Sequence, residues 1–256
     1  MALIKKLIPF LIIFGIIFYF IRTSTLYDTH LLLSNIDETP YLYAVVGTIF
    51  GVLAAFAIQK EWEEWNALTE AVRGEVDGLE KLYLWSSNFP EKIKEKIHGD
   101  IKRYLELIIQ LGWKYTGDGR RKGKESVGAR SQELEQVIVD LNNSIYRIFD
   151  EAPQLMPTSF ALLSIVLNNR SARLQHSSEH MPPLLKNTLQ FAAFLLIGLS
   201  MFIAIKDIWL AFLFTASIAS LAYAIFLVLI DLDNPLKPGD WHITTDDYKA
   251  LLEKIS

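Results

Sequence analysis

Four apolar runs, at residues 7–21, 41–59, 189–205 and 209–230, stand as two pairs toward the ends of the chain and enclose a long charged segment. A bilayer core is crossed by roughly 20 apolar residues in a helix. Hydrocarbon offers no partner to a backbone N–H or C=O, so a crossing segment must satisfy these groups within itself. Each run is therefore predicted to be a transmembrane helix. The first run is the shortest, and Lys5 and Lys6 ahead of it give it the outline of a secretory signal. No small-residue cleavage motif follows, Arg22 closes the run, and Phe18, Tyr19 and Phe20 form an aromatic cluster suited to an interface. A retained anchor is the better reading.

Lys and Arg are kept on the cytoplasmic side during insertion, so their distribution predicts orientation. The segment 60–186 holds Lys60, Arg73, Lys92, Lys94, Lys96, Lys102, Arg103, Arg120, Arg121, Lys122 and Lys124, whereas the 22–40 loop pairs one Arg with Asp28, Asp37 and Glu38. Both termini and the middle segment are expected in the cytoplasm, in a multi-pass protein of the cytoplasmic membrane. The loop 22–40 and the link at Lys206 and Asp207 are expected outside. The chain has no cysteine, which excludes disulfides, thiolate metal sites and a Cys nucleophile. A net charge of −4 gives no reason to expect a nucleic-acid partner.

After Gln59 the apolar pattern becomes periodic. Trp62, Trp65, Leu68, Val72, Val76, Leu79 and Leu82 recur every three or four residues, which predicts that the second membrane helix runs on to Trp85. No proline interrupts it, and Gly74 and Gly78 cost only about 1 kcal/mol each against alanine. Further amphipathic helices are predicted over 90–113, with Ile93, Ile97, Ile101, Leu105 and Ile108, and over 131–149, with Leu134, Val137, Ile138, Leu141 and Ile145. A fourth is predicted over 157–179, with Phe160, Leu163, Ile165 and Val166, ending before Pro182 and Pro183. The Gly- and base-rich stretch 116–126 reads as a loop able to approach anionic lipid. The predicted fold is an all-α membrane protein with four transmembrane helices in two pairs and about four cytoplasmic helices between them. Its divisions are 1–59, 60–186, 187–230 and a cytoplasmic tail 231–256.

His176-Ser-Ser-Glu-His180 has the H-x-x-E-H spacing of a zinc peptidase, but such a site needs a third ligand and a cleft, so a polar helix end is expected there. Gly117 to Ser126 lacks the spacing of a phosphate-binding loop. Arg170 and Arg173 share a helix face and could grip a carboxylate, with Asp231 and Asp233 as natural partners; lipid contact is the alternative. Asp231 and Asp233 close the last membrane helix, where the macrodipole disfavours negative charge, and ask for a compensating cation: the arginines or, less readily, a metal ion such as calcium. Glu61, Glu63 and Glu64 follow the second span and would form carboxylate rings in a symmetric oligomer. Gly47 and Gly51 make a G-x-x-x-G pattern whose ordinary meaning is close helix packing. No Asp, Glu, Lys, Arg or His lies inside any span, which argues against a proton-coupled pump.

The order of Trp62, Glu75, Leu79, Leu82, Pro90, Tyr104, Trp113, Arg170-x-x-Arg173-Leu174, Pro182-Pro183 and Leu232-Asp233-Asn234-Pro235 resembles bacterial and archaeal membrane proteins with a bestrophin-like domain, over about residues 42–240. The chain departs from that pattern at Leu236, where the family has Phe, at Pro238, which delays Gly239 by one place, and at Gly112 before Trp113, where the family has Glu. The resemblance implies a four-span subunit in a ring around a central ion pathway. Animal bestrophins are pentameric anion channels, and bacterial relatives can prefer cations.

The sequence expectation is accordingly a homo-oligomeric ion channel lined by the second membrane helix, with a pentamer among the possible rings. Pore-lining candidates are Thr48, Ile49, Phe50, Phe56, Glu61 and Glu64. Gly47, Gly51, Arg170, Arg173, Asp231 and Asp233 are candidates for interfaces or charge networks. Partners are other copies of the chain and membrane lipids; no cofactor and no enzymatic activity are expected, and metal binding is left open. The rivals are a non-conducting scaffold that binds lipid or a soluble partner, and a membrane-bound hydrolase using His176 and His180.

Overall fold

A computed structural model describes the backbone of residues 2–24, 39–117, 124–201, 205 and 207–256, and their side chains except at 2–4, 39–40, 42, 111–117 and 124–131. Among the described residues every regular element is helical. The helices are α1 (Ala2–Thr23), α2 (Thr39–Trp85), α3 (Glu91–Gly117), α4 (Lys124–Tyr146), α5 (Ile148–Glu151), α6 (Met156–Ser178), α7 (Pro183–Met201), α8 (Ile208–Leu232) and α9 (Asp246–Ile255). Four stretches are long and apolar enough to cross a membrane, in α1, the first part of α2, α7 and α8. Most of the loop 22–40, the central residues 118–123 of the basic stretch, and Lys206 lie outside the described residues.

The chain divides into two compact units, one comprising residues 1–62 and 180–233, the other 63–179 and 234–256. In the first unit α8 is the shared partner. Its small residues Ala211, Thr215, Ala219 and Ala222 recur at three- and four-residue spacing and are all buried. Between membrane helices the hydrophobic effect is absent, so close approach through small side chains supplies the dispersion contacts. Phe14 and Phe18 of α1 pack on that stripe, and Phe10 stacks on Tyr223 at 4.3 Å. Phe50, Ala54 and Ala57 of α2 cluster with Leu189, Ala193 and Leu196 of α7 and with Ala222 and Leu229 of α8. Asp207 caps α8, its carboxylate accepting the Leu210 N–H at 2.8 Å, and Arg22 donates to the Ile205 carbonyl.

The second unit is a helical bundle built on the predicted stripes. Ile97, Ile101, Leu105 and Ile108 of α3 and Leu141 and Ile145 of α4 are completely buried, facing Leu79 and Leu82 of α2. Each such side chain contributes about 1.5–3 kcal/mol by leaving water. Sequence periodicity did not mark α9, which enters this core through Tyr248 and Leu251. Trp65 is likewise used inside the unit, its indole N–H donating to the Trp241 carbonyl at 2.8 Å.

Glycine at positions 74 and 78 lets α2 meet α6 closely. A Cβ on Gly78 would fall 3.0 Å from Val166 Cγ2 and 3.3 Å from the Val166 backbone nitrogen, and one on Gly74 would fall 2.4 Å from Asn169 Oδ1. Gly78→Leu is expected to lower stability by about 1–3 kcal/mol, the usual cost of overpacking. Gly99→Ala, on an exposed part of α3 with open space beside it, should be neutral or stabilising by up to about 1 kcal/mol. Thermal unfolding of the two variants in detergent checks the contrast.

Candidate functional site

Three features of the two units gather the polar and exposed residues on which a function can rest. The first is a buried carboxylate. Glu75 of α2 and Arg173 of α6 are 0% and 1% exposed, and the guanidinium donates through Nε to Glu75 Oε2 at 2.6 Å and through Nη2 to Oε1 at 3.3 Å. Tyr104 of α3 donates its hydroxyl to Oε1, and Tyr248 of α9 donates to Oε2 at 3.2 Å. Four donors from three helices thus fill the four lone-pair positions of a carboxylate on a fourth. Burial pulls the Arg173 guanidinium down while the Glu75 carboxylate pulls it up, and the net effect is a value well above the ordinary one. Burial and, after it, Glu75 raise both tyrosines, so each hydroxyl keeps its proton and remains a donor.

The partner on Arg173 is therefore a carboxylate of the same unit, one that sequence reasoning placed only among the resemblance positions. A signal was available: Glu75 falls at the third and fourth spacings between Val72 and Leu79, on the stripe that must be buried. Arg170 pairs with Glu135 of α4. In the first unit, Asp233 follows α8, is nearly buried, and accepts the Met181 N–H at 2.7 Å. Pro182 and Pro183 carry no N–H, so Met181 offers the last donor ahead of α7. The compensation expected from a cation is met for Asp233 by this backbone donor, and His180 Nδ1 lies 3.1 Å from the Asp233 carbonyl. Asp231 is half-buried in the last turn of α8.

The second feature is a polar cluster between α2 and the end of α6. His176 Nδ1 lies 2.8 Å from Glu64 Oε2 and 3.7 Å from Glu179 Oε2. Glu64 comes from a helix more than a hundred positions earlier, and the second histidine of the H-x-x-E-H spacing, His180, lies beside Asp233 and not in this cluster. Glu64 faces this histidine, whereas Glu61 is buried in the first unit and Glu63 is exposed.

The third feature is the outer face of α2 in its membrane span. Val45, Thr48, Ile49, Val52 and Phe56 lie along one side and are exposed, Phe56 at 71%. Thr48 closes its hydroxyl on its own helix, donating to the Ala44 carbonyl at 2.8 Å. Phe50 is only 4% exposed because it fills the contact with α7, so it stands apart from Ile49 and Phe56. Gly47 approaches Leu196 of α7, a Cβ there reaching 3.6 Å, while Gly51 faces open space.

Removing one partner of a buried ion pair strands the other charge, which costs about 3–5 kcal/mol. Arg173→Met and Glu75→Gln are each expected to destabilise by that order, and Tyr248→Phe by about 1–3 kcal/mol. Unfolded tyrosines lose their protons near pH 10 whereas the buried pair retains them, so the unfolded chain binds fewer protons above that pH and stability falls as pH rises. The contribution is fully present below pH 10. Thermal unfolding of detergent-solubilised protein should show an alkaline decline that Tyr104→Phe/Tyr248→Phe flattens.

A family model for the bestrophin-like domain matches residues 13–246. No curated protein sequence matches the chain. Among solved structures, a bacterial bestrophin homologue from Klebsiella pneumoniae superposes with a TM-score of 0.69 at 9% identity, covering 97% of each chain. A single-substitution variant of a Klebsiella pneumoniae bestrophin homologue gives 0.69 at 10% identity over 100% of this chain and 97% of that one. A further structure described as a membrane protein gives 0.70 at 12% identity over 99% and 97%. At these identities the likeness is one of fold, and the extended match to the domain model supplies the family. With its four candidate spans and its helical second unit, the chain belongs to the bestrophin-like family.

Proposed function

We propose that this chain is one subunit of a homo-oligomeric ion channel of the cytoplasmic membrane, with the outer face of α2 lining the route. The observation that carries the reading is that face itself. One side of the span is covered by α7 through Phe50, Ala54 and Ala57, while the side bearing Thr48, Ile49 and Phe56 is exposed among the described residues. Copies of the chain arranged about an axis would bring these faces around a common path. A pentamer follows the resemblance to bestrophins, and both termini in the cytoplasm follow the distribution of Lys and Arg along the sequence.

Ile49 and Phe56 would form an apolar constriction that gates by dewetting, since a narrow ring without polar groups holds water poorly. Phe50 contributes from behind, by fixing α2 against α7. Of the carboxylates after the span, Glu63 is the exposed one and would repeat around the mouth, attracting cations. Glu61 and Glu64 would act indirectly, through their packing inside the chain.

Planar-bilayer recording of the purified oligomer tests the reading. Ion currents are expected, increased severalfold by Phe56→Ala, with cation preference reduced by Glu63→Gln. An oligomer that stays silent across pH, lipid and divalent-ion conditions would overturn conduction and favour a scaffold that binds lipid or a soluble partner.

A further inference from the structure

We infer that Glu64, His176 and Glu179 form a binding site for a divalent transition-metal ion, zinc being the best match, that staples α2 to the end of α6. One nitrogen and two carboxylate oxygens from these residues lie within 4.8 Å of one another. Zinc holds such donors at about 2.0–2.2 Å in a tetrahedral arrangement, which sets neighbouring donors about 3.4 Å apart. The distances from His176 Nδ1, 2.8 Å to Glu64 and 3.7 Å to Glu179, bracket that spacing.

Two carboxylates, that of half-buried Glu64 and that of exposed Glu179, converge on the same Nδ1 of half-buried His176, which has at most one proton to give. A cation among them offsets the repulsion between the two acids. A divalent ion balances both carboxylates, and neutral His176 completes the donor set through Nδ1 with its proton on Nε2. The mixed nitrogen and oxygen donors suit zinc over calcium, which takes oxygen ligands.

The helix supplies the geometry. His176 lies in the last turn of α6 and Glu179 directly after it, three residues on and hence on the same side, while Glu64 comes from α2. Gln175 donates to the other oxygen of Glu179 at 3.1 Å, leaving Oε2 turned toward His176. This ligand set differs from that of an H-x-x-E-H peptidase, where the Glu acts as base. Here Glu179 is a ligand, so the site is structural.

The inference stands independently of conduction, because it is read by binding alone. The intact protein in detergent, stripped with a chelator and desalted, is titrated with zinc by calorimetry, and its bound metal and thermal unfolding are measured. One zinc per chain and a rise of several degrees in unfolding temperature are expected. Glu64→Gln and His176→Gln should each weaken zinc binding at least tenfold, and His98→Gln should leave it unchanged. Should either variant fail to fold, Glu179→Gln, altered at the edge of the unit, must show the same tenfold loss. Absence of zinc-dependent stabilisation in the unmodified chain, or undiminished affinity in the folded ligand variants, would overturn the site.

Discussion

Hydrocarbon cannot hydrogen-bond to peptide groups, and that constraint governs how this chain is built. The candidate crossing segments of this chain meet it as helices, which satisfy their backbone internally, and helices in lipid find one another through shape and not through the expulsion of water. The alanines and threonine along α8 answer this demand by letting the aromatic side chains of α1 come close. The same rule explains why Thr48 and Thr215 turn their hydroxyls back onto carbonyls one turn earlier. A helix made for lipid can also run on without a break, and α2 does so for 47 residues, its apolar surface narrowing to a stripe after Gln59.

Below that change in pattern the physics reverses. In the second unit, burial of isoleucine and leucine stripes supplies the driving force, and the cost appears where a charge is taken inside. Glu75 and Arg173 lose their hydration together, and the structure answers with a bidentate contact and two tyrosine hydroxyls. Such a network adds little stability compared with an apolar core of the same shape, but it tolerates few alternatives. Four helices must be in register for four donors to reach one carboxylate. The close approach of α2 and α6 at Gly74 and Gly78 holds one side of that register.

The cluster of Glu64, His176 and Glu179 depends on the same pair of helices. Its carboxylates come from distant parts of the chain, one from α2 and one from the residue after α6, and meet because these helices pack antiparallel, with the Glu75–Arg173 contact further along the same pair. A bound ion would reinforce the contact that the buried pair already makes. The exposed face of α2 in its membrane span belongs to the other unit and draws on different chemistry, an apolar surface with no ionisable group.

Spans, helix periodicity and the helical class were legible in the residue order, because a bilayer fixes segment length and a bundle fixes the three-to-four spacing of its apolar side chains. Partners were not. Arg173 could have met any acid near it, and only packing brought Glu75 to it; Phe50 and Phe56 look alike in the sequence, yet one fills a helix contact and the other stays outside. The same holds for Glu64, whose position after the span suggested an open mouth until α6 set His176 beside it, and for α9, whose ten residues are too short to announce a helix until Tyr248 finds a buried acceptor. Local pattern specifies which surface of a helix is apolar; which polar groups meet is decided by tertiary structure, since desolvation and hydrogen-bond geometry depend on neighbours distant along the chain.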